Sequence, residues 1–318
     1  MNIVQSCSHY QFPAKGSAGA ERIVERVSRG LVKLGHKVYL LGAKGSTTDT
    51  GAIVVDSIPD DADIIHLHGV QMEKQEEYNK LPKPWVGTIH GGGMETDPQF
   101  LTAVRNHPNI ICVSKFVADR LGCQAFVHSC ASPEEFEYKE AKGNYFLYVA
   151  SFGWGMQKGL DVFINLSRRI SSAQFMIAGS GGSEVFLNQL SLLCATSSNL
   201  RYIGEINGKE KSHWLSNAKA MIIPTHLADA CPTTVSESLM CGTPVIGSTN
   251  GSLPEIVPPS VGFVCLSISD YMKAIVNINK IRPSDCRDYA EKNYSDMAAA
   301  KKHLIYYESM LKNKRVVI

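Results

Sequence analysis

Short apolar runs alternate with helical stretches along this 318-residue chain, and the alternation runs through twice. That pattern constrains the fold more than any single motif. The first round opens with the strand-like run Asn2–Cys7. A helical pattern follows, with Ile23, Val24, Val27, Leu31 and Leu34 on one face and Gly35 at its C′ stop. Further strand-like runs are Val38–Gly42, Ala52–Val55, Ile64–Leu67, Trp85–His90 and Ile110–Val113. After the polar stretch Ser132–Asn144 the pattern restarts with runs at Phe146–Ala150, Phe175–Ala178, Leu200–Ile203, Ala220–Ile223, Val245–Gly247 and Phe263–Leu266, separated by helical segments. Short apolar strands alternating with helices predict parallel sheets covered on both faces. We therefore expect two α/β units, residues 1–140 and 141–295, followed by a helix over 296–318 that packs back across the seam.

Composition narrows the class. At 44% hydrophobic residues the chain can bury a sizeable core, and no apolar stretch approaches the ~18 residues of a membrane span. The N-terminus lacks the basic region and apolar run of a secretory signal. A net charge of +2 argues against a nucleic-acid partner. The nine cysteines contain no C-x-x-C pair, so reduced, buried thiols fit better than zinc or disulfides. The expectation is a soluble, cytoplasmic protein that handles a small molecule.

In open parallel sheets ligands sit at the carboxyl ends of strands, and four segments there hold candidate chemistry. Between the first strand and its helix, Gly16 and Gly19 let backbone approach a ligand at a helix N-terminus; a flexible loop is the plain alternative. His90-Gly91-Gly92-Gly93 follows a strand and reads either as a hydrolase oxyanion loop or as a cleft-edge histidine with room for a sugar. The hydrolase reading needs a G-x-S-x-G elbow, and the nearest match, around Ser151, lacks its first glycine. Lys158 starts a helix after a strand, where a phosphate could meet it, although a lone lysine is more often merely solvated. His66 and His68 share one strand face but have no third ligand at metal spacing.

Residues 224–257 hold the strongest stretch. Asp229 and Glu237 flank Cys231, Pro232, Thr233 and Thr234, whose backbone N–H groups open a helix. One carboxylate facing a sugar, a helix start holding a diphosphate and a second carboxylate on a ribose diol would suit a nucleotide sugar. The competing reading is a capping box, with Glu237 in the first helical turn bonding the Thr234 N–H.

The ordered set of motifs resembles the GT-B glycosyltransferases of family 4, the group 1 transferases. Ala18-Gly19-Ala20-Glu21 matches the family's glycine-rich loop, Gly35-His36 its Gly-His, and Asp63-Ile64-Ile65-His66-Leu67-His68 its Asp-x-x-His-x-His. Thr88-Ile89-His90, Val113-Ser114, Lys158-Gly159 and Gly179-Ser180-Gly181 follow in order. Asp229 to Glu237, Gly242-Thr243-Pro244-Val245 and Gly251-Ser252-Leu253-Pro254-Glu255 complete the set.

The resemblance implies two Rossmann-like α/β domains facing across an interdomain cleft, an acceptor half and a donor half. It implies a retaining glycosyltransferase that needs no metal or other cofactor and takes a UDP- or GDP-sugar. The acceptor would be a sugar, a lipid-linked glycan or a small molecule, in bacterial-type polysaccharide or glycoconjugate synthesis. Peripheral contact with the inner membrane face fits such an acceptor, although the basic C-terminal helix (Leu304, Ile305, Tyr307, Met310, Leu311) suits packing better. By the same resemblance Glu237 holds the ribose, Lys158 the donor diphosphate, Asp229 the donor sugar, and His90 the sugar at the reaction centre. Gly16, Gly19, Thr233 and Thr234 line the phosphates, with Gly179, Cys231 and Pro232 beside the donor.

Three departures stand out. No Arg precedes Lys158 within Ser151–Met156, the first acid is Asp229 where the family has Glu, and Ser129-Cys130-Ala131-Ser132 replaces the usual Asn-Gly-Val-Asp. They keep two alternatives open: another GT-B enzyme such as a nucleotide-sugar epimerase, and a catalytically silent nucleotide-sugar-binding subunit. Asp61-Ala62-Asp63 is formally D-x-D but reads as a turn.

Overall fold

Strands β4 (Ile64–His68) and β5 (Trp85–Ile89) are buried at every position, as expected where helices cover both faces of a parallel sheet. The computed structural model describes residues 1–7, 9–16, 18–70, 74–91, 102–105 and 107–313. The chain divides into two compact units, Met1–Cys130 with Asn293–Ile318, and Ala131–Lys292. Each is a Rossmann-like α/β sheet.

The first unit holds β1 (Asn2–Ser6), α1 (Gly19–Lys33), β2 (Lys37–Leu41), β3 (Ile53–Val54), β4, the single turn α2 (Gln75–Tyr78), β5, β6 (Ile110–Cys112), α3 (Lys115–Leu121) and β7 (Ala125–Phe126). Its strands are all parallel, in the order β3-β2-β1-β4-β5-β6-β7. The order reverses between β1 and β4, where Gln5 lies level with His66. Strand β7 has two residues, too few to leave a hydrophobic pattern in the sequence.

The second unit holds β8 (Tyr145–Ser151), α4 (Leu160–Arg169), β9 (Gln174–Ser180), α5 (Glu184–Ala195), β10 (Leu200–Tyr202), α6 (Gly208–Asn217), β11 (Ala220–Ile223), α7 (Thr233–Met240), β12 (Val245–Ser248), α8 (Leu253–Ile256), β13 (Gly262–Cys265), α9 (Ile268–Asn277) and α10 (Pro283–Tyr294). The parallel order is β10-β9-β8-β11-β12-β13, with the reversal between β8 and β11. Its core packs Phe146, Phe163, Phe175 and Ile222 between sheet and helices.

The polar stretch at 132–144 belongs to the second unit, so the division falls ten residues before the expected 140. Its polar groups have partners there. Glu137 donates its N–H to Ser212 Oγ at 2.8 Å. Lys142 Nζ donates to Ser216 O, Cys241 O and Thr243 Oγ1 at 2.9–3.0 Å, which satisfies carbonyls at the ends of α6 and α7.

The chain re-enters the first unit at Asn293, and α11 (Asp296–Asn313) packs on α1. Gly30 makes the close approach possible, because a Cβ there would lie 2.3 Å from Asp296 O. The buried face of α11 differs from the one expected. It comprises Asp296, Ala299, Ala300, His303, Tyr306, Tyr307 and Met310, while Ile305 and Leu311 are exposed. Small residues and a histidine fill the tight crossing, so a search for large aliphatics misphases the helix. Residues 314–318 of the expected helix lie outside the described residues. Among the described residues no helix is long and apolar enough to cross a membrane.

Candidate active site

Lys158 follows β8 and Asp229 follows β11, so the two flank the strand-order reversal of the second unit. Their side chains meet in a direct ion pair and are both largely buried. The local sequence explains the meeting. Gly159 has φ +80°, and a Cβ there would lie 1.9 Å from Pro224 O, so glycine lets the loop after β8 close on the end of β11. The His226 N–H donates to Gln157 O at 2.8 Å, and Tyr148 donates its hydroxyl to Lys158 O at 3.3 Å.

A third loop clamps Asp229. Ser252 N donates to Asp229 O at 2.9 Å, and Gly251 (φ +62°) lies so close that a Cβ would sit 2.4 Å from Asp229 N and O. The expected Gly-x-Pro-Glu segment thus begins with a residue that shapes the site.

Helix α7 begins at Thr233 with Pro232 at its N-cap and no side-chain cap. Cys231 to Thr234 are partly exposed, and the helix is buried beyond them. Uncapped N–H groups at the positive end of a helix suit an anion. Glu237 corrects the expectation: it is the fifth helical residue, beyond the first turn, and Thr234 is not an N-cap. The capping box is therefore absent, because the helix starts two residues earlier than that motif requires. Glu237 is 1% exposed and ion-paired with Lys211 of α6. Sequence reasoning missed Lys211. It lies in a polar helix whose pattern carries no sign of a buried carboxylate opposite.

Gly179 has a tighter structural use. A Cβ there would lie 2.0 Å from Ala150 O, and Tyr202 donates its hydroxyl to Gly179 O at 3.0 Å. Ser151 accepts the Gly153 N–H at 3.4 Å, a local cap. Ser114 caps α3 by accepting the Val117 N–H at 3.2 Å. Asp61 is taken up by Lys37, Tyr39 and Asn2, as befits a turn.

In the first unit, Gly16 (φ +55°) makes a turn whose carbonyl accepts from Arg22 at 2.6 Å. Gly19 opens α1, and a Cβ there would meet nothing within 4 Å among the described residues. His90 follows β5; Gly92 and Gly93 of its glycine run lie outside the described residues. The His-x-His and Thr-x-His motifs meet in one buried network. His66 Nε2 lies 2.7 Å from Thr88 Oγ1, and His66 Nδ1 2.6 Å from Tyr307 OH. His68 Nε2 lies 2.5 Å from Gln5 Oε1, and His68 Nδ1 2.9 Å from His90 Nε2. Burial holds these imidazoles neutral. It drives His66 and His68 well below the ordinary range, with neighbouring histidines adding to the effect. His90 is lowered to about 4 by burial and then by His9. Each ring nitrogen of His66 and His68 is engaged in a hydrogen bond. Sequence reasoning missed Gln5, and it placed Tyr307 only on an apolar helix face.

The structure thus collects Lys158, Asp229, Glu237 and the start of α7 in the second unit, and Gly16, Gly19 and His90 in the first. Residues 133–293, just over half of the chain, match the family model described as "Glycosyl transferases group 1". This chain belongs to that family.

One relative is a GDP-mannose-dependent monoacylated alpha-(1-6)-phosphatidylinositol monomannoside mannosyltransferase of Corynebacterium glutamicum. It is 28% identical over 118 residues, which cover 34% of this chain and 30% of the relative. The matched stretch is thus less than a third of that relative's length. Among solved structures, AviGT4, a glycosyltransferase involved in avilamycin A biosynthesis, superposes with a TM-score of 0.77 at 20% identity over 98% of both chains. Anabaena HepE in complex with UDP-glucose gives 0.70 at 13% identity, covering 98% of this chain and 99% of that one. At these identities the likeness shows the fold, which is GT-B.

Proposed function

We propose that this group 1 glycosyltransferase moves a sugar from a UDP- or GDP-sugar to an acceptor, with retention at the anomeric carbon and without a metal. The observation that carries this is the Lys158–Asp229 ion pair at the strand-order reversal. Breaking the glycosidic bond puts negative charge on the diphosphate and positive charge on the sugar. Lys158 and the start of α7 stabilise the first, which is the role a bound cation would otherwise fill. Asp229 takes donor sugar hydroxyls, Glu237 the ribose diol, and His90 the sugar at the reaction centre. Gly16 and Gly19 give the phosphates backbone access.

The ion pair supports an exchange step. An incoming diphosphate draws Lys158 toward it and frees Asp229 to accept a hydroxyl.

The UDP-glucose complex of HepE and the GDP-mannose dependence of the corynebacterial relative make both nucleotides reasonable donors. The acceptor is a sugar, a lipid-linked glycan or a small molecule, and the setting cytoplasmic, at or near the inner membrane face. A second reading, binding without transfer, draws on the lack of an Arg in Ser151–Met156.

A thermal-shift screen against nucleoside diphosphates and their sugars tests the donor site. A ligand at 100 times its Kd stabilises by about 2.7 kcal/mol. Transfer assays with the donor found there, with and without EDTA, then follow, with the product anomer read by NMR. Stabilisation without transfer or hydrolysis on any acceptor selects the silent-binding reading. Sugar interconversion without acceptor selects an epimerase.

A further inference from the structure

The network behind His90 has a direction. Gln5 Oε1 is a carbonyl oxygen and can only accept, so His68 Nε2, 2.5 Å away, must carry a hydrogen. A neutral His68 then has a bare Nδ1, and the hydrogen between it and His90 Nε2 belongs to His90. His90 Nδ1 is left as a lone pair. The atom is buried and, among the described residues, has no hydrogen-bond partner.

The orientation of the Gln5 amide decides this, and it is an assignment that the geometry can check. Gln5 Nε2 lies 3.3 Å from Tyr307 OH, and Tyr307 gives its one hydrogen to His66 Nδ1 at 2.6 Å. His66 Nε2 then donates to Thr88 Oγ1 at 2.7 Å. Reversing the amide reverses every bond. The 2.5 Å contact would become nitrogen to nitrogen, and the 3.3 Å contact an O–H···O bond. The first is too short, and the second exceeds the ~2.5–3.0 Å range of such bonds. Both contacts lie nearer the N–H···O range of about 2.7–3.2 Å that the first direction requires, so the geometry favours that direction.

We propose that Gln5, His68 and Tyr307 are positioning residues that hold His90 as its Nε2–H tautomer, so that its free Nδ1 accepts a hydrogen bond from a sugar hydroxyl. The sugar part rests on the proposed function; the tautomer does not. Gln5, His66 and His68 are buried on β1 and β4, Thr88 on β5 and Tyr307 on α11. The helix that closes the first unit therefore takes part in setting what His90 offers. The ionisable groups around the network are His9 and Tyr10, both against Gly69, with His66 and His68 on β4 and His303, Tyr307 and Lys302 on α11. A hydroxyl supplies the missing hydrogen, whereas an anion does not.

The test is nitrogen-15 NMR of histidine-labelled full-length protein at pH 7, on wild type, Gln5→Leu and Tyr307→Phe. Wild type should show His90 with Nε2 protonated and Nδ1 bare. In Gln5→Leu, His68 Nε2 loses its acceptor and its hydrogen moves to Nδ1, so His90 should become protonated at Nδ1. Its kcat should fall by about tenfold or more, with nucleoside diphosphate affinity unchanged. Tyr307→Phe removes one oxygen and frees the Gln5 amide, so a mixture of tautomers is expected; it answers the question if Gln5→Leu does not fold. A protonated His90 Nδ1 in wild type, or no tautomer change in either folded variant, overturns the proposal. A changed tautomer with unchanged kcat overturns the positioning role. Failure of the wild type to bind any nucleotide sugar fails the proposed function instead, while the NMR still decides the tautomer.

Discussion

Lys211 and Glu237 form an ion pair in which the carboxylate is 1% exposed and the lysine 14%. Helices α6 and α7 thus hold a charge pair that is almost entirely out of water. Removing one partner of a buried pair leaves the other charge poorly compensated and costs about 3–5 kcal/mol. Lys211→Met should lower Tm markedly, and the double variant Lys211→Met/Glu237→Leu should recover much of the loss. A double variant no more stable than Lys211→Met would show that the pair is not the source of the loss.

Glu237 also carries the ribose assignment. Glu237→Gln should keep the helix, because Glu237 lies beyond the first helical turn, and should weaken nucleoside diphosphate binding in calorimetry. Equal affinity in the variant and wild type would remove Glu237 from the donor site.

For Lys158→Ala we expect a kcat loss of ~10²–10³, the scale for a missing donor to developing negative charge. The departing cation also frees Asp229, so donor binding should change less than kcat. Steady-state kinetics on the donor found by thermal shift measure both. A kcat within threefold of wild type would mean that Lys158 does not face the leaving group.

The motifs in the sequence led to this site more directly than the helices did. Strand ends, Lys158, Asp229 and the start of α7 were legible because parallel β–α alternation places ligands after strands, and glycines mark where backbones close. Glu237 was named, but its position in the helix was misjudged, because Pro232 rather than Thr234 caps α7. Lys211, Gln5 and Tyr307 were illegible as site residues, since each acts through a side chain that is distant in sequence. Tyr307 lies 302 residues from Gln5. The buried face of α11 was hidden for a related reason, because close helix crossing selects Gly30, Ala299 and Ala300 over larger residues.

The buried histidines make stability depend on acid. His90 is lowered to about 4 and His303 to about 3, both chiefly by burial, against an unfolded value near 6.5. Between those values the unfolded chain binds more protons than the native one, so stability falls as pH drops. The contribution is fully present above about pH 6.5 and is lost as the pH falls toward the folded values. Each such histidine adds a slope of up to about 1.4 kcal/mol per pH unit. Urea denaturation at pH 7, 6 and 5 should show this loss, and His303→Phe should flatten it. A flat profile would mean that these rings are not held neutral by burial.

Gly251→Ala separates shape from charge in the donor site. The residue has φ +62°, where a Cβ is unfavourable, and that Cβ would sit 2.4 Å from Asp229 N and O. A non-glycine residue in such a conformation costs about 1–3 kcal/mol, and the clash pushes the Asp229 backbone away. Asp229 would then lose its place beside Lys158 although neither charged residue has changed. Gly251→Ala should therefore lower Tm and also reduce kcat/KM for the donor sugar, while free nucleoside diphosphate, which the proposed function assigns to Lys158, Glu237 and the start of α7, should bind nearly as before. Gly91→Ala is the comparison, since a Cβ there meets nothing within 4 Å among the described residues; it should leave Tm unchanged. If Gly251→Ala lowers Tm but leaves kcat/KM intact, Asp229 does not depend on the clamp for its role.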